Sequence, residues 1–314
     1  MDKANIENLV FKGGGIKGSA YAGSMQVLEH MQLLAGVVHI GGTSAGSITA
    51  AMLATGGGSA GLLDSVEHTD FAKFLDDKWG ILGDAGRMIS QYGMHTGHEF
   101  EAILKQFIKR FSGNETLTFA QLDELARTNP ATFKRLSVVA SNLTRQKSQV
   151  FNAQTHPDLP IWLAVRASMS IPFIFEPVQI DGDYHVDGGL AWNYPIDLYD
   201  TVTIDKKNGT CIRDSNPSTL GFFLESPAQV ADGDTFKTDN YAIDSIKSYA
   251  LAVSSYMYET ANSRHMHLDD RKRTVFIDDL GVNGTDFSLP EKRIEKLIDS
   301  GRKAAESYFD LTGT

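Results

Sequence analysis

Two glycine-rich segments, Lys12-Gly13-Gly14-Gly15-Ile16-Lys17-Gly18 and Gly42-Thr43-Ser44-Ala45-Gly46, indicate the fold of this chain. Each segment follows a short apolar run, at residues 8–11 and 37–40, and each precedes a helical pattern. A strand, a glycine turn and a helix, repeated twice, are typical of a parallel α/β sheet. Active sites of such sheets lie at the carboxyl ends of the strands. We therefore expect the two segments to meet at one edge of the sheet.

The chemistry of these segments suggests acyl transfer. A glycine loop can direct backbone N–H groups at a developing negative charge. The G-x-S-x-G pattern places a serine on a sharp strand-to-helix turn, here Ser44. A serine nucleophile needs a base, and Val186-Asp187-Gly188-Gly189 supplies a carboxylate beside two glycines. Because glycine has no Cβ, other groups can approach this carboxylate closely.

Together, the three segments resemble the signatures of the patatin-like phospholipase family. That family carries G-G-G-x-[KR]-G, G-x-S-x-G and D-G-[GA] in this order, which correspond to residues 13–18, 42–46 and 187–189. The stretch Ala167-Ser168-Met169-Ser170-Ile171-Pro172 is also similar to the family's segment ahead of the aspartate. The resemblance spans residues 8–197 and continues more faintly towards residue 314.

The resemblance implies a three-layer patatin-like α/β fold with a mostly parallel central sheet. We expect one domain over residues 1–314, with the helices and strand of residues 218–310 belonging to it. The implied function is hydrolysis of carboxylic esters in lipids, with phospholipids as first choice, and without a metal or organic cofactor.

The resemblance also assigns roles to residues. Ser44 would be the nucleophile and Asp187 its general base, without a histidine. The oxyanion would be bound by N–H groups of the Gly13-Gly14-Gly15 loop, together with Ala45. The other motif positions would support this geometry: Lys17, Gly18, Gly42, Gly46, Gly188 and Gly189. We expect the Lys17 side chain to point away from the oxyanion, to solvent or a carboxylate.

A dinucleotide-binding site is one alternative, because Gly13-x-Gly15-x-x-Gly18 fits the G-x-G-x-x-G fingerprint. That fingerprint requires an acidic residue about 20 positions further on, at the end of the second strand. Here the second strand runs into Gly41-Gly42-Thr43-Ser44 instead. The mismatch disfavours this alternative.

A Ser-His-Asp triad is another alternative, since His265 and His267 follow Asp187 in the chain order of α/β-hydrolases. Both lie among charged residues and are expected to be solvated. His185 and His39 are nearer to the motifs, but structural roles are favoured for both. A catalytically silent protein that binds lipid or a partner is a third alternative.

Other carboxylates and apolar stretches have simpler interpretations. Asp181-Gly182 is a turn signal, so a turn is favoured over catalysis for Asp181, and Asp183 lies on the same hairpin. Residues 71–94 are rich in apolar side chains and could form a lid, but we favour packing against the core. The polar residues 201–218 predict an exposed loop, and residues 243–257 predict a long helix.

The composition of the chain limits the kinds of partner that it is expected to bind. The net charge of −10 over 314 residues argues against a general nucleic-acid binder, which needs a basic face. Cys211 is the single cysteine, so no intrachain disulfide can form. The first residues lack the apolar core of a signal peptide, and no apolar run reaches the roughly 18 residues that span a bilayer. We expect a cytoplasmic protein with peripheral membrane contact. Export by a dedicated machine and an unidentified activator remain open.

Overall fold

A computed structural model of the protein describes residues 5–75, 91–204, 210–225, 243–245, 248–249, 252–254, 256–257 and 266–311. The described strands are β1 (Asn8–Phe11), β2 (His39–Thr43), β3 (Gly93–His95), β4 (Arg135–Asn142), β5 (Lys147–Phe151), β6 (Phe173–Phe175), β7 (Val178–Ile180), β8 (Asp183–Asp187), β9 (Thr201–Ile204), β10 (Cys211–Asp214), β11 (Thr219–Leu224) and β12 (Thr274–Ile277). The described helices are α1 (Ala20–His30), α2 (Ala45–Ala54), α3 (Gly58–His68), α4 (His98–Ser112), α5 (Phe119–Thr128), α6 (Ile161–Ser168), α7 (Gly189–Trp192), α8 (Leu268–Lys272) and α9 (Glu291–Tyr308).

The central sheet has eight strands along the path β12-β11-β1-β2-β4-β8-β7, with β5 paired to β4 as well. From β12 to β4 all neighbours are parallel, whereas β5, β7 and β8 join through antiparallel pairs. The five parallel strands have buried sequences that are apolar or glycine-rich, because both faces of the sheet are covered. The predicted mostly parallel α/β sheet is confirmed.

Side-chain alternation along the strands produces three layers. Phe11 faces α1, where its ring lies 5.1 Å from the Tyr21 ring, and α9 packs against α1 on the same side. The neighbouring positions point to the opposite face. There, a Cβ at Gly41 would collide with Leu198 and Tyr199, which belong to the segment that follows α7. The glycine at this position lets that segment lie directly against the sheet.

The edges of β4 determine where the active site forms. One edge pairs with β2 up to Thr43↔Val139 and then with β8 from Ala140↔Asp187 onwards. The other edge pairs with β5. Strands β2 and β8 therefore approach each other head to head along one edge, and their carboxyl ends meet at adjacent residues of β4. This register brings the residue after β2, Ser44, next to the last residue of β8.

Several local predictions required correction. Strand β2 covers residues 39–43, so it includes the two glycines that were assigned to the turn. Residues 201–218 are not a loop throughout, because β9 and β10 form an antiparallel hairpin. Both strands are mostly exposed, as expected for this segment. In the predicted helix at 243–257, residues 248–249, 252–254 and 256–257 are helical, whereas 246–247, 250–251 and 255 lie outside the described residues. Most of the apolar stretch at 71–94 lies outside the described residues.

The sequence patterns Thr96-x-x-Glu99 and Thr118-x-x-Gln121 each predict a capping box at the start of a helix, and the two predictions have different outcomes. At α5 the Thr118 hydroxyl accepts from the Gln121 N–H while the Gln121 side chain accepts from the Thr118 N–H, so this box is confirmed. At α4 the N-cap is Gly97 with φ of 74°, so Thr96 lies one position too early to close the box. Motif spacing alone does not fix the first residue of a helix.

No helix in the described part of the chain combines the length and apolarity needed to cross a membrane.

Candidate active site

Ser44 occupies a strained turn between β2 and α2. Its φ is 54° and its ψ is −128°, a left-handed backbone conformation that non-glycine residues rarely adopt. The Ser44 N–H donates to the Ser168 hydroxyl over 2.8 Å, and the Ser168 hydroxyl donates to the Val139 carbonyl over 2.6 Å. These contacts hold the turn so that the serine side chain projects from the end of the sheet.

The glycines that flank Ser44 are required by close backbone packing. A Cβ at Gly42 would overlap the Gly46 carbonyl, and a Cβ at Gly46 would overlap the Phe11 carbonyl at the end of β1. Gly188 is similar, because a Cβ there would overlap the Val139 carbonyl of β4. The structure thus gives a steric reason for glycine at each of these three motif positions.

Asp187 lies within hydrogen-bonding distance of Ser44. The Ser44 hydroxyl donates to Asp187 Oδ2 over 2.6 Å. Asp187 is fully buried and Ser44 is 5% exposed, so water competes little for this contact. A short O–H···O⁻ bond is of the strong, charge-assisted type. The arrangement pairs an alcohol with a carboxylate that can accept its proton.

The rest of the Asp187 carboxylate and backbone is anchored. Asp187 Oδ1 accepts from the Gly189 N–H over 2.7 Å. The Asp187 N–H donates to the Ser170 carbonyl over 2.9 Å, and its carbonyl accepts from the Ser141 hydroxyl over 2.9 Å. These bonds orient Oδ2 towards Ser44. They also explain why Gly189 follows the aspartate, since its amide is directed back at the carboxylate.

The glycine loop lies directly against the serine. A Cβ built on Gly13 would be 3.0 Å from Ser44 Cβ, and one built on Gly18 would be 2.9 Å from Ala45 Cβ. Among the described residues, none accepts a hydrogen bond from the N–H groups of Gly14, Gly15 or Ala45. Gly15 has φ of 58°, which a glycine adopts without strain. In the part of the chain that the structure describes, these three amides therefore have no acceptor, so they are available to an anion.

The Gly13 N–H, unlike these three amides, already has an acceptor. It donates to the Asn193 carbonyl over 3.0 Å, so this amide is already satisfied and cannot also serve an oxyanion. A Cβ at Gly13 would overlap the Asn193 side-chain oxygen. The expectation that Gly13 binds the oxyanion is corrected: Gly13 allows close packing between the loop and the residues after α7.

The C-terminal part of the chain holds the glycine loop from the other side. Lys17 Nζ lies 3.0 Å from Asp279 Oδ2, so the lysine points to a carboxylate, as expected. The Ile16 N–H donates to the Gly284 carbonyl over 2.9 Å. A Cβ at Gly15 would overlap the same carbonyl. The loop is thus fixed by a segment more than 250 residues away in the sequence.

The segment between α6 and β6 contributes residues to which the sequence assigned no role. Ser168 connects the Ser44 amide to β4 through its hydroxyl, and its carbonyl accepts from the Gly188 N–H over 3.3 Å. Met169 Sδ lies 3.3 Å from the Ser44 hydroxyl oxygen. The stretch was noticed only by its resemblance to a family segment. Its contacts depend on long-range packing, which no local pattern indicates.

The described histidines make contacts elsewhere. His185 is buried, its ring centroid lies 5.3 Å from that of Phe151, and burial lowers its pKa. Burial likewise lowers the pKa of His39, whose ring contacts Asn8 and Tyr199. His267 is exposed at the start of α8, and His265 lies outside the described residues. The contacts of His39 and His185 do not involve Ser44 or Asp187, which disfavours a triad.

The neighbouring carboxylates have structural partners. Asp181 is 80% exposed in its side chain and adopts φ of 53° at the β7–β8 turn. Asp183 accepts from Asn142 over 2.9 Å and from Arg145 over 2.5 Å. These bonds lower the Asp183 pKa, the Asn142 bond being the largest cause. Neither residue competes with Asp187 for Ser44.

An apolar cavity of about 50 Å³ lies close to the serine. Ala45 and Met169 line it beside Ser44, while Leu62, Val66 and Phe107 line it further in. Its walls come from the glycine loop, α2, α3, α4 and the residues around Phe287. Such a lining suits an alkyl chain, since mostly apolar clefts with few polar groups are typical of ligand sites.

Comparison with known proteins agrees with this geometry. A family model described as patatin-like phospholipase matches residues 9–200. Uncharacterized protein YqhO of Bacillus subtilis is 26% identical over 96% of this chain and 97% of its own length. Lysophospholipase NTE1 of Cryptococcus neoformans is 27% identical over 69% of this chain, but that match covers 12% of the lysophospholipase. VipD from Legionella pneumophila superposes with a TM-score of 0.60 at 17% identity, covering 98% of this chain and 67% of VipD. The last likeness shows a shared fold.

Proposed function

This chain belongs to the patatin-like phospholipase family, and we propose that it hydrolyses carboxylic ester bonds of phospholipids through a Ser44–Asp187 dyad. The observation that carries the proposal is the 2.6 Å hydrogen bond from the Ser44 hydroxyl to a fully buried Asp187 carboxylate. A nucleophile within hydrogen-bonding reach of its base is the arrangement that covalent catalysis requires.

In the first half-reaction, the Ser44 oxygen attacks the ester carbonyl carbon while its proton passes to Asp187 Oδ2. The new C–O bond makes a tetrahedral intermediate with a negative oxygen. The same proton then moves from Asp187 to the departing alcohol oxygen as the ester C–O bond breaks. This leaves an acyl group on Ser44 and releases the lysophospholipid or other alcohol with its new hydroxyl group protonated.

In the second half-reaction, Asp187 takes a proton from a water molecule that attacks the acyl carbon. The intermediate collapses, the bond to the Ser44 oxygen breaks, and Asp187 returns the proton to that oxygen. The products are a fatty acid and the starting enzyme. The Gly189 N–H bond to Oδ1 keeps the carboxylate in one orientation through both steps.

The negative oxygen of both intermediates would be bound by the amides of Gly14, Gly15 and Ala45. Ala45 is the first residue of α2, so the partial positive charge of that helix end adds to its amide. Fixed donors need no rearrangement when charge develops, which is why such sites contribute strongly to catalysis.

The substrate class rests on the cavity and on relatives. An apolar cavity beside Ser44 favours an acyl chain over a polar acyl group, and the lysophospholipase relative acts on a lipid by its name. We infer that the substrate is a lipid ester, presented by a membrane that the protein contacts peripherally.

A fluorophosphonate with a long alkyl chain tests the proposal, because it reacts with an activated serine. Wild type should become labelled on Ser44, Ser44→Ala should not, and Asp187→Asn should be labelled far more slowly. Lipid mass spectrometry of cells expressing wild type or Ser44→Ala should show phospholipid loss with wild type alone. Equal labelling of wild type and Asp187→Asn would contradict the base assignment. Binding of lipid without turnover of any ester would favour a catalytically silent lipid-binding protein.

A further inference from the structure

The apolar cavity beside Ser44 shares a wall with a second hollow on the surface. This outer groove lies between the end of α3 and the start of α9 and has a volume of about 610 Å³. Thr69, Phe71 and Phe287 line both the cavity and the groove. The two spaces therefore adjoin at these three residues, which form the wall between them.

Two aromatic rings make up most of this wall. Phe287 is 4% exposed, and its ring centroid lies 5.9 Å from that of Phe74. Phe71 is half-buried, and its ring centroid lies 5.4 Å from that of Phe74. Phe74 is buried and lines only the inner cavity. Both wall residues thus rest on one buried ring, which limits how far they can move.

The residues that adjoin Ser44 line the cavity but not the groove. They are Ala45, the next residue in the chain, and Met169, whose Sδ lies 3.3 Å from the Ser44 hydroxyl oxygen. An acyl chain attached to the Ser44 oxygen would enter the cavity beside these two residues. Its methyl end would then point towards Phe71 and Phe287.

The groove has the chemistry to hold an alkyl chain and not a charged headgroup. Its lining includes the apolar side chains of Leu289, Ile294 and Ile298. The charged residues around it are mainly acidic, namely Glu67, Asp70, Glu291 and Glu295. These carboxylates would repel a phosphate or a fatty-acid carboxylate, whereas an uncharged methyl end has no such conflict.

We propose that Phe71 and Phe287 determine the acyl-chain length that the enzyme accepts, because they close the cavity against this groove. The proposal rests on the proposed lipid hydrolase function and deepens it. A chain that fits inside the cavity is bound along its whole length. A longer chain is blocked by the two rings. When a smaller side chain replaces one of the rings, the methyl end of the chain extends into the groove.

The test compares kcat/KM for p-nitrophenyl octanoate and p-nitrophenyl hexadecanoate, dispersed in the same detergent. Phe71→Ala should raise the hexadecanoate-to-octanoate ratio about tenfold or more, since a few methylene contacts can supply that discrimination. Phe287→Leu, a milder change at a buried position, should raise the ratio in the same direction. Phe276→Ala is the matched control, because Phe276 is a half-buried phenylalanine that lines neither the cavity nor the groove; its ratio should stay near that of wild type.

A second variant tests the groove itself. Ile294 lines the groove only, so Ile294→Trp in the Phe71→Ala background should fill it and return the ratio towards that of wild type. If the ratio is unchanged in both Phe71→Ala and Phe287→Leu, and both proteins still react with the fluorophosphonate, then the two phenylalanines do not select chain length. The proposed hydrolase function would not be affected by that result. A wild type that cleaves neither ester and resists the fluorophosphonate would overturn both proposals.

Discussion

Residues 9–200 and residues 266–311 meet at the glycine loop, but they bring different kinds of contact to it. The first region contains Ser44, Asp187 and the three amides proposed to bind the oxyanion, and the family model covers it. The second region contributes the Gly284 carbonyl, the Asp279 carboxylate and the Phe287 ring. It supplies no group to the proposed proton transfers. It shapes the loop and the cavity.

The difference predicts how each region responds to substitution. Proton transfer depends on one atom at hydrogen-bonding distance, so a change of that atom removes the reaction. Support and packing are shared among several contacts, so a single change shifts rates by smaller factors. The predictions below run from the first kind to the second.

The largest effect is expected for the base. Asp187→Asn should lower kcat by a factor on the order of 10⁴, as for loss of a member of a catalytic unit, because an amide cannot take the Ser44 proton. Asp183→Asn is the matched control on the same strand, since Asp183 bonds Asn142 and Arg145 instead. It should retain most activity. Steady-state ester hydrolysis measures both. Comparable losses in the two folded variants would contradict the assignment.

A smaller loss is expected when the C-terminal region displaces the glycine loop. Gly284→Ala would place a Cβ 2.8 Å from the Gly14 carbonyl oxygen. The loop must shift, and kcat should fall about 10- to 100-fold, less than the 10²–10³ of deleting an oxyanion donor. Gly36→Ala is the control, because its Cβ would meet the Ile6 carbonyl oxygen at an ordinary 3.5 Å. If kcat stays at the wild-type value while the variant is folded, the loop is not positioned by Gly284.

The ion pair below the loop should matter less. Asp279→Asn removes the carboxylate that Lys17 contacts at 3.0 Å. A pair of this kind is worth about 1 kcal/mol, so kcat should fall roughly fivefold. Asp64→Asn, which breaks the exposed pair with Arg110, should leave kcat unchanged. Stopped-flow labelling by the fluorophosphonate would report the same ranking. If Asp279→Asn lowered kcat as much as Asp187→Asn, the proposed distinction between the two regions would be wrong.

The smallest catalytic effect is expected at His185, which should affect stability instead. Burial lowers the pKa of His185, so the folded state keeps this histidine neutral while the unfolded state binds a proton below about pH 6.5. The free energy of unfolding should therefore fall as the pH drops through that range, by at most about 1.4 kcal/mol per pH unit for one proton.

The His185→Gln variant isolates this contribution. Its unfolding free energy should decline less between pH 7.5 and 5.5 than that of wild type, as measured by urea denaturation at each pH. Its kcat at pH 7.5 should stay within about twofold of wild type, because His185 packs on Phe151 and not on the dyad. A large loss of kcat in the folded variant would support a histidine-dependent mechanism.

The parts of the fold that could be predicted are those with strong local signals. The turns after β1 and β2 combine glycines with apolar runs, and both exist, although β2 extends through Gly41 and Gly42 before its turn begins. The capping box at Thr118 was also correct, whereas the one at Thr96 failed because Gly97 starts α4. The β9–β10 hairpin was missed because polar residues around it outweighed its β-branched positions. Local composition is a weak guide where few side chains are buried.

For the site, the order of motifs identified Ser44 and Asp187 but not what surrounds them. Gly13 was grouped with its neighbours, although only the folded chain shows its amide bonded to Asn193. Ser168 and Met169 reach Ser44 across more than 120 positions. Such contacts depend on how helices and loops pack on the sheet, and no spacing along the chain encodes them.

The sequence by itself determined which chemical groups are present: a serine on a strained elbow, an aspartate beside two glycines, and a loop without side chains. Turn geometry and glycine patterns act over a few residues, so they can be recognised locally. Only the tertiary structure decided that Ser44 and Asp187, 143 positions apart, lie at adjacent residues of β4. That outcome depends on strand register, which is fixed by burial of whole faces and not by any short segment.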